Sequence, residues 1–484
     1  MSYITLVFAV GLAIVCLRQD AKLEPNVSFA IWLPVLWMLR VASRSFGEWF
    51  PGQGNQWVEQ IILSALTIAG LIVLAQRSAK VSALFRENRV LLLFLAYVTL
   101  SILWSGDISF AFKRWFRTVG DVTMALLVLT ELDPFVAVLC VLRRAIVVLI
   151  PLSLVLCMYF PSLGWGDGDS WVGVGVDKNW FGLLCFVASA YLLWHWTMRR
   201  RKSEWAKDIR VGGIPFEIPL LVVSLYLLFG GSTGSLSRSS TAIVLLALAV
   251  GVFYLTEYVR KRHLRLASLV IPFVLLLLFV QVLPRLTGHR GLTDHIIEDV
   301  LHKDVNLTDR ADFWPLLIKK GMAHPWFGSG LDSFFTPQMQ ETIQAELWMY
   351  ETYFKPTQAH NGYLEVFLTL GVTGLALLML VIYSAFRSAS RLNETSFEYG
   401  QMRLALLACA VVSNWTEASF ARPTEFFWFL FLLVAINPVG HPMQVFASDD
   451  ANHATDAEKP HLWADAPSAG HATMLVTIPR SNSR

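Results

Sequence analysis

Residues 361–386 read NGYLEVFLTLGVTGLALLMLVIYSAF, and residues 387–403, which follow them, read RSASRLNETSFEYGQMR. Beyond Glu365 the first stretch carries no charge. It is long enough to cross a hydrocarbon core of roughly 30 Å, which takes about 20 apolar residues in a helix. Its apolar residues run on continuously instead of alternating, which favours a helix over a barrel strand. The second stretch brings Arg387, Arg391 and Arg403 together between two apolar blocks, as a loop retained on the cytoplasmic side would. The same pairing of apolar block and basic loop recurs along the chain. It decides the class: an all-α polytopic membrane protein.

The composition agrees. Of 484 residues, 55% are hydrophobic and 15% charged, against about 25% charged in soluble domains. Mean hydropathy is +0.52. Spans are expected near 2–17, 28–42, 57–76, 89–105, 118–131, 136–160, 177–197, 214–230, 241–258, 264–283, 361–386, 403–417 and 424–440, a bundle of about 12–14 helices given two short members and one that carries Asp121. The first segment lacks a basic leader and a small-residue cleavage site, so it reads as a retained span. Cys16, Cys140, Cys157, Cys185 and Cys409 all lie in apolar blocks and suit helix packing, with no disulfide framework. The net charge of +3 gives no reason to expect a nucleic-acid partner, since the basic residues follow topology.

The basic connections 77–89, 198–210, 259–265 and 387–403 are assigned to the cytoplasm, which leaves 160–176, 231–240, 284–360 and 418–423 on the outer side. Four regions result: an N-terminal bundle (1–283), a large periplasmic loop (284–360), C-terminal spans (361–440), and a polar tail (441–484) expected to be disordered and cytoplasmic. The large loop is aromatic-rich, with Phe313, Trp314, Trp326, Phe334, Phe335, Trp348, Tyr350 and Tyr353 set among charges. Helical spacing over 309–323 and 337–354 predicts a small helical cap. No internal repeat is visible.

Arginines on the outer side run against the charge bias and call for another reason. Arg238 stands in GSLSRSST at the head of the span 241–258, Arg310 in NLTDRAD where a cap helix begins, and His360 and Asn361 in QAHNGYLE where the cap re-enters the membrane. Lys113, Arg114 and Arg117 follow Trp104 in an outer loop, and Arg422 precedes Pro423. Ser239 or Ser240, Asp309 and Asn361 can each N-cap the helix that follows. Helix N-termini attract phosphate, and a neighbouring guanidinium fork adds to that. His360 can take a proton near neutral pH. A site for a polyanionic head group on one membrane face follows, and a lipid-linked diphosphate fits it. Taken singly, each residue also has a bland reading. An interfacial arginine snorkels to lipid head groups, Lys113, Arg114 and Arg117 bind lipid phosphates, a loop arginine is solvated, and a loop histidine is structural. Glu417 is either a buried partner of an arginine or an acid that reaches water. Asp121 is expected to pair with Arg117 one turn away. His289, His295 and His302 lack a dedicated ligand spacing, no Walker, GxSxG or Rossmann motif occurs, and no cofactor or metal is expected.

The ordered motifs LWSGD (103–107), DKNWFG (177–182), SRSSTA (237–242), TDRADFW (308–314), HPWFGSGLDSF (324–334), HNGYLEVFLTLGVTG (360–374) and TEASF (416–420) resemble the O-antigen ligase-like superfamily over roughly residues 95–440. That group holds O-antigen ligases, Wzy-type polysaccharide polymerases and protein O-oligosaccharyltransferases. The resemblance implies a GT-C-like glycosyltransferase of the bacterial inner membrane. It would take a glycan from an undecaprenyl-diphosphate donor at the periplasmic face without a metal or a nucleotide sugar. It further implies that Arg238 and Arg310 bind the diphosphate and that His360 is the base. Lys178, Asn179, Asn361, Arg114 and Glu417 are expected to bind substrate.

Two departures stand out. Asp309 precedes Arg310 where many members have glycine, and Asp177 precedes Lys178 and Asn179 where many have histidine. The Trp-rich cap favours a polymerase of exopolysaccharide or O-antigen repeat units over a ligase joining glycan to lipid A core. A transporter, or a scaffold in an export complex, is the reading from a different class. The implied partners are the lipid-linked donor, an acceptor glycan or glycolipid, membrane lipids and a chain-length regulator.

Overall fold

The apolar blocks fold as helices whose starts are set by short polar side chains. Asp133 accepts from the backbone N–H of Phe135 at 3.0 Å and of Val136 at 3.1 Å, with Pro134 in the first helical position. Asp107 accepts from Phe110 at 2.9 Å, and Asp177 from Asn179 at 2.8 Å and Trp180 at 2.9 Å. Such a cap is worth about 1 kcal/mol. The computed structural model describes residues 2–49, 55–166, 169–229, 239–263, 310–346 and 356–439.

The principal helices are α1 (Ser2–Leu23), α2 (Trp32–Val41), α3 (Asn55–Gln76), α4 (Ser78–Glu87), α5 (Arg89–Leu100), α6 (Ile108–Leu129), α7 (Pro134–Tyr159), α8 (Lys178–Arg200), α9 (Glu217–Phe229), α10 (Ser240–Lys261), α11 (Arg310–Gly321), α12 (Pro337–Glu346), α13 (Gly362–Thr395), α14 (Phe397–Ser413) and α15 (Phe426–Ala435). Among the described residues the extended backbone consists of two short antiparallel ladders, pairing Trp165–Gly166 with Ser170–Trp171 and Arg210–Val211 with Ile214–Pro215.

Among the described residues, 6 helices are long and apolar enough to cross a membrane, or up to 7 if the bent pair Ser78–Glu87 and Arg89–Trp104 counts as one span. Phe29–Val41, Glu217–Phe229 and Phe426–Ala435 are apolar but shorter. The chain is therefore a multi-pass α-helical membrane protein. Every expected span in the described residues coincides with a helix, and the span expected at 264–283 lies outside them. The expected loop 77–89 is largely the helix α4, bent by 96° from the next.

The helix ends collect at two poles. At one, Arg77 on the loop after α3 reaches Glu131 after α6 at 2.9 Å and the Ser28 hydroxyl before α2 at 2.8 Å. There too Lys207 meets Glu24, and Arg201 meets Glu257. The basic connections sit at this pole. At the other, Arg44 donates to the carbonyls of Leu163, Gly173 and Gly175, and Trp104 Nε1 donates to Phe327 O at 3.2 Å. Between the poles α15 (FFWFLFLLVA) is buried on every side, as a helix apolar all round must be.

Two expectations are corrected. Lys113, Arg114 and Arg117 lie on the first turns of α6 and not in a loop, because Asp107 caps that helix well before residue 118. Asp121 does not pair with Arg117. Its carboxylate accepts from Trp37 Nε1 at 2.8 Å and from the backbone N–H of Thr424 at 2.9 Å. Two neutral donors satisfy a buried carboxylate without a guanidinium.

The helix α13 is broken. Gly371 sits at φ 67°, ψ −170°, so the backbone groups around it lose their partners within the helix. The segment 325–330 supplies them. Ser329 N and Gly330 N donate to Leu368 O and Thr369 O at 3.0 and 2.9 Å. Val372 N and Thr373 N donate to Pro325 O and Trp326 O at 2.8 and 3.2 Å, and Tyr97 OH donates to Leu370 O at 2.9 Å. Non-helical backbone within a membrane bundle is tolerated when it is satisfied in this way. Gly328 and Gly330 also take left-handed φ values of 68° and 91°. The HPWFG stretch is thus a splint for a broken helix.

Candidate active site

The short helical piece ahead of Gly371 carries His360 at its head. Asn361 caps it, accepting from Tyr363 N and Leu364 N at 3.0 Å each. His360 itself has φ 50°, a left-handed conformation uncommon for a residue with a side chain. The neighbouring residues hold it there. Buried Ala359 donates its N–H to Glu365 Oε2 at 2.7 Å and accepts at its carbonyl from Trp314 Nε1 at 2.9 Å. Trp314 lies on α11, one turn after Arg310, a rise of about 6 Å along the axis. The start of the cap helix and the head of α13 are therefore tied together.

The turn 414–425 closes the other side. Gly362 N donates to Asn414 O at 2.8 Å and to Glu417 O at 3.1 Å, and a Cβ at Gly362 would collide with the Asn414 amide. Asn179, in the first turn of α8, donates its amide N–H to Glu417 Oε1 at 3.2 Å. Thr416 meets Thr241 in the first turn of α10 at 3.4 Å, and Ser239 caps that helix, accepting from Ala242 N at 3.4 Å. Gly182 on α8 packs so closely on Ser239 that a Cβ there would clash. The N-termini of α8, α10 and α13 thus converge on one turn, and their partial positive ends point to the same pole.

Lys178, Asn179, Asn361, Glu417 and His360 are brought to this place. Glu417 keeps company with Asn179. Arg310 is the first residue of α11. Arg238, and Asp309 as its expected cap, lie outside the described residues, as do His289, His295, His302 and the tail 441–484; of the second cap stretch, Pro337–Glu346 is helical and 347–354 lies outside. Arg114 forms an ion pair with Asp332, and its guanidinium lies 5.4 Å from the centre of the Phe110 ring. Asp177, whose place the motif left open, has a plain duty as the cap of α8. Among the described residues no group of three or more His, Cys, Asp or Glu could hold a metal ion.

Four residues were not assigned to the site from the sequence: Trp314, Glu365, Gln358 and Asn414. Glu365 had a signal, since an acid near the start of an apolar span is costly unless it is used. The positive charges of Arg422 and Arg114 act on Glu365 and also on Glu425. The two arginines therefore belong to this pole. The cavity of about 570 Å³ lined by Leu71, Val81, Leu95, Trp115 and Val122 is apolar and lies between α3, α4, α5 and α6, away from His360.

Residues 223–379 match the family model described as O-Antigen ligase. Over that stretch the chain is similar to the O-antigen ligase-like superfamily. The stretch that matches covers α10, the described part of the cap and the break in α13, the elements that assemble around His360. The chain is also 23% identical over 298 residues to "Exopolysaccharide production protein ExoQ" of Rhizobium meliloti (strain 1021), covering 60% of this chain and 63% of that protein. The match thus spans less than two thirds of the relative's length.

Proposed function

We propose that this protein is a glycosyltransferase that elongates a lipid-linked glycan at the outer face of the bacterial inner membrane. The donor is a glycan on undecaprenyl diphosphate. A hydroxyl of the acceptor glycan gives its proton to His360 and attacks the anomeric carbon. The carbon–oxygen bond to the diphosphate breaks, and the lipid diphosphate leaves with its charge held by Arg238, Arg310 and Lys178. A single displacement inverts the anomeric carbon. His360 and the arginines together supply the base and the counter-charge, so the reaction as proposed calls on no metal.

One observation carries the reading. His360 is held in a left-handed conformation at the head of a capped helix and is tied through Ala359 and Trp314 to the helix that Arg310 opens. Non-glycine residues held this way gather at functional sites. The name of the relative, an exopolysaccharide production protein, favours polymerisation over ligation to lipid A core. A chain-length regulator on the cap is part of the same proposal.

The test is to express His360→Gln and Arg310→Ala variants in a strain lacking the native gene, with membrane levels verified, and to resolve lipid-linked intermediates by size. Single repeat units accumulating on the lipid carrier while long chains vanish is the expected result. Long lipid-linked chains that never reach a final acceptor would point to a ligase. Wild-type glycans from both variants would remove the catalytic assignment and return the transporter or scaffold readings.

A further inference from the structure

We infer that Arg422 is a further binding residue for the diphosphate of the lipid-linked substrate, and that buried Asp121 is the residue that positions it. The inference rests on the donor class proposed above.

Arg422 sits on a turn that the backbone adopts at a cost. Ala421 and Thr424, on either side of it, have φ values of 57° and 60°. For a β-branched residue such as Thr424 this is a clear outlier. Asp332 and His360, at the same pole, share the left-handed region at 52° and 50°. Strain of this kind persists only where surrounding structure imposes it.

The structure that imposes it is unusual. Asp121 is fully buried in the bundle, and one of its oxygens holds the Thr424 N–H at 2.9 Å while the other holds Trp37 Nε1 at 2.8 Å. An intramembrane carboxylate is expensive and normally has a use. Its use here is to fix the turn that presents Arg422. From below, Asn414 Oδ1 braces the approach to the turn, accepting from Ser419 N at 3.0 Å and Phe420 N at 2.9 Å.

The side chain held this way has donors to spare. Arg422 Nη1 donates to the amide oxygen of Gln358, two residues before His360. Among the described residues Arg422 forms no ion pair, whereas Arg114 is matched by Asp332 and Arg40 by Glu59. Glu365 and Glu425 feel its charge most among the cations around them, but neither is in ion-pair contact with it. A guanidinium has five N–H donors in a planar fork, and one amide oxygen uses one of them. A fork held rigidly beside the His360 segment suits the non-bridging oxygens of a diphosphate.

The test uses the full chain in phosphatidylcholine nanodiscs and two probes, a polyprenyl diphosphate and the uncharged polyprenol of the same chain length. Wild type should bind the diphosphate more tightly. Arg422→Gln should lose about tenfold or more in diphosphate affinity with polyprenol binding unchanged. Arg422→Lys should fall between, since it keeps the charge and loses the fork. Asp121→Asn should shift the same ratio in the same direction. Polyprenol binding serves as the check on folding. If Arg422→Gln loses both ligands, the ratio in Arg422→Lys decides. An unchanged ratio in wild type and these variants would overturn the role of Arg422 and leave the donor class standing. A wild-type protein indifferent to the diphosphate would overturn both.

Discussion

Trp314 Nε1 donates to the carbonyl oxygen of Ala359 at 2.9 Å, so the helix that opens with Arg310 and the segment that carries His360 are one mechanical unit. The bond joins residues 45 positions apart. It makes the cap part of the site and not merely a cover for it.

Replacing that indole is the direct check. Trp314→Phe keeps most of the packing and removes the donor, leaving the buried Ala359 carbonyl short of a partner. Stability should fall by about 1 kcal/mol. Activity should fall further, because a small misplacement of His360 relative to the substrate can cost on the order of 100-fold. Glycan chain synthesis in membranes, compared with thermal unfolding of the same preparation, separates the two effects.

Glu365 should behave according to what its replacement can accept. Glu365→Gln still offers an oxygen to the Ala359 N–H and should retain most activity. Glu365→Leu leaves that N–H unpaired in a buried place, at about 1–3 kcal/mol, and frees His360 from its left-handed conformation. Equal loss in both variants would show that the charge of Glu365, and not its hydrogen bond, is what the site needs.

The broken helix predicts a contrast between two glycines. Gly371 has φ 67°, and a Cβ there would strike the backbone of Trp326, whereas a Cβ at Gly251 on α10 meets nothing within 4 Å. Gly371→Ala should be destabilising by about 1–2 kcal/mol or more. Gly251→Ala should be neutral or stabilising by up to about 1 kcal/mol. Unfolding temperatures of the two detergent-solubilised variants give the comparison.

Arg403 caps the far end of the core helix. Its guanidinium donates to Val434 O at 2.6 Å, to Ala435 O and Ile436 O at 3.3 Å, and to Asn437 Oδ1 at 2.8 Å. These are carbonyls at and just past the end of α15, where a cation is favoured. Arg403→Met should cost about 3 kcal/mol or more by orphaning several of them. The amount of protein in the membrane should drop while activity per molecule is kept.

Arg114 should do the reverse. Its ion pair with Asp332 is about a quarter exposed on each side, and such pairs contribute roughly 0–1 kcal/mol. Arg114→Ala should leave the unfolding temperature nearly unchanged. Any large loss of glycan synthesis would then reflect substrate binding, as first expected of this residue, and a variant with full activity would remove it from the site.

The helix caps around the candidate site were legible because their signals are local. Asn361 and Ser239 read as caps from their place before apolar runs, and both cap. His360 stood out because it is polar at an outer helix start, whereas Lys178 was named only through the resemblance. What could not be read were pairings across the chain. Gln358 meets Arg422 over 64 residues and Asp121 meets Thr424 over 303. The expectation that Asp121 pairs with Arg117 failed for this reason: sequence proximity on one helix offered a partner, and tertiary packing brought closer ones. The HPWFGSG stretch entered the sequence reading only as a motif of the resemblance, and its part in backbone repair could not be read, since nothing in its residues announced that α13 would break at Gly371.

The sequence by itself determined the solvent of this protein, the position of its helices along the chain and the pole at which its unexplained charges gather. Those properties follow from hydropathy and caps, which act over one helix at a time. Only the tertiary structure decided which arginine is matched by a carboxylate and which is not, why a carboxylate lies inside the bundle, and what holds His360 in its conformation. Each of those depends on donors and acceptors that meet only when distant helices pack, and partner choice is not a property of any one segment.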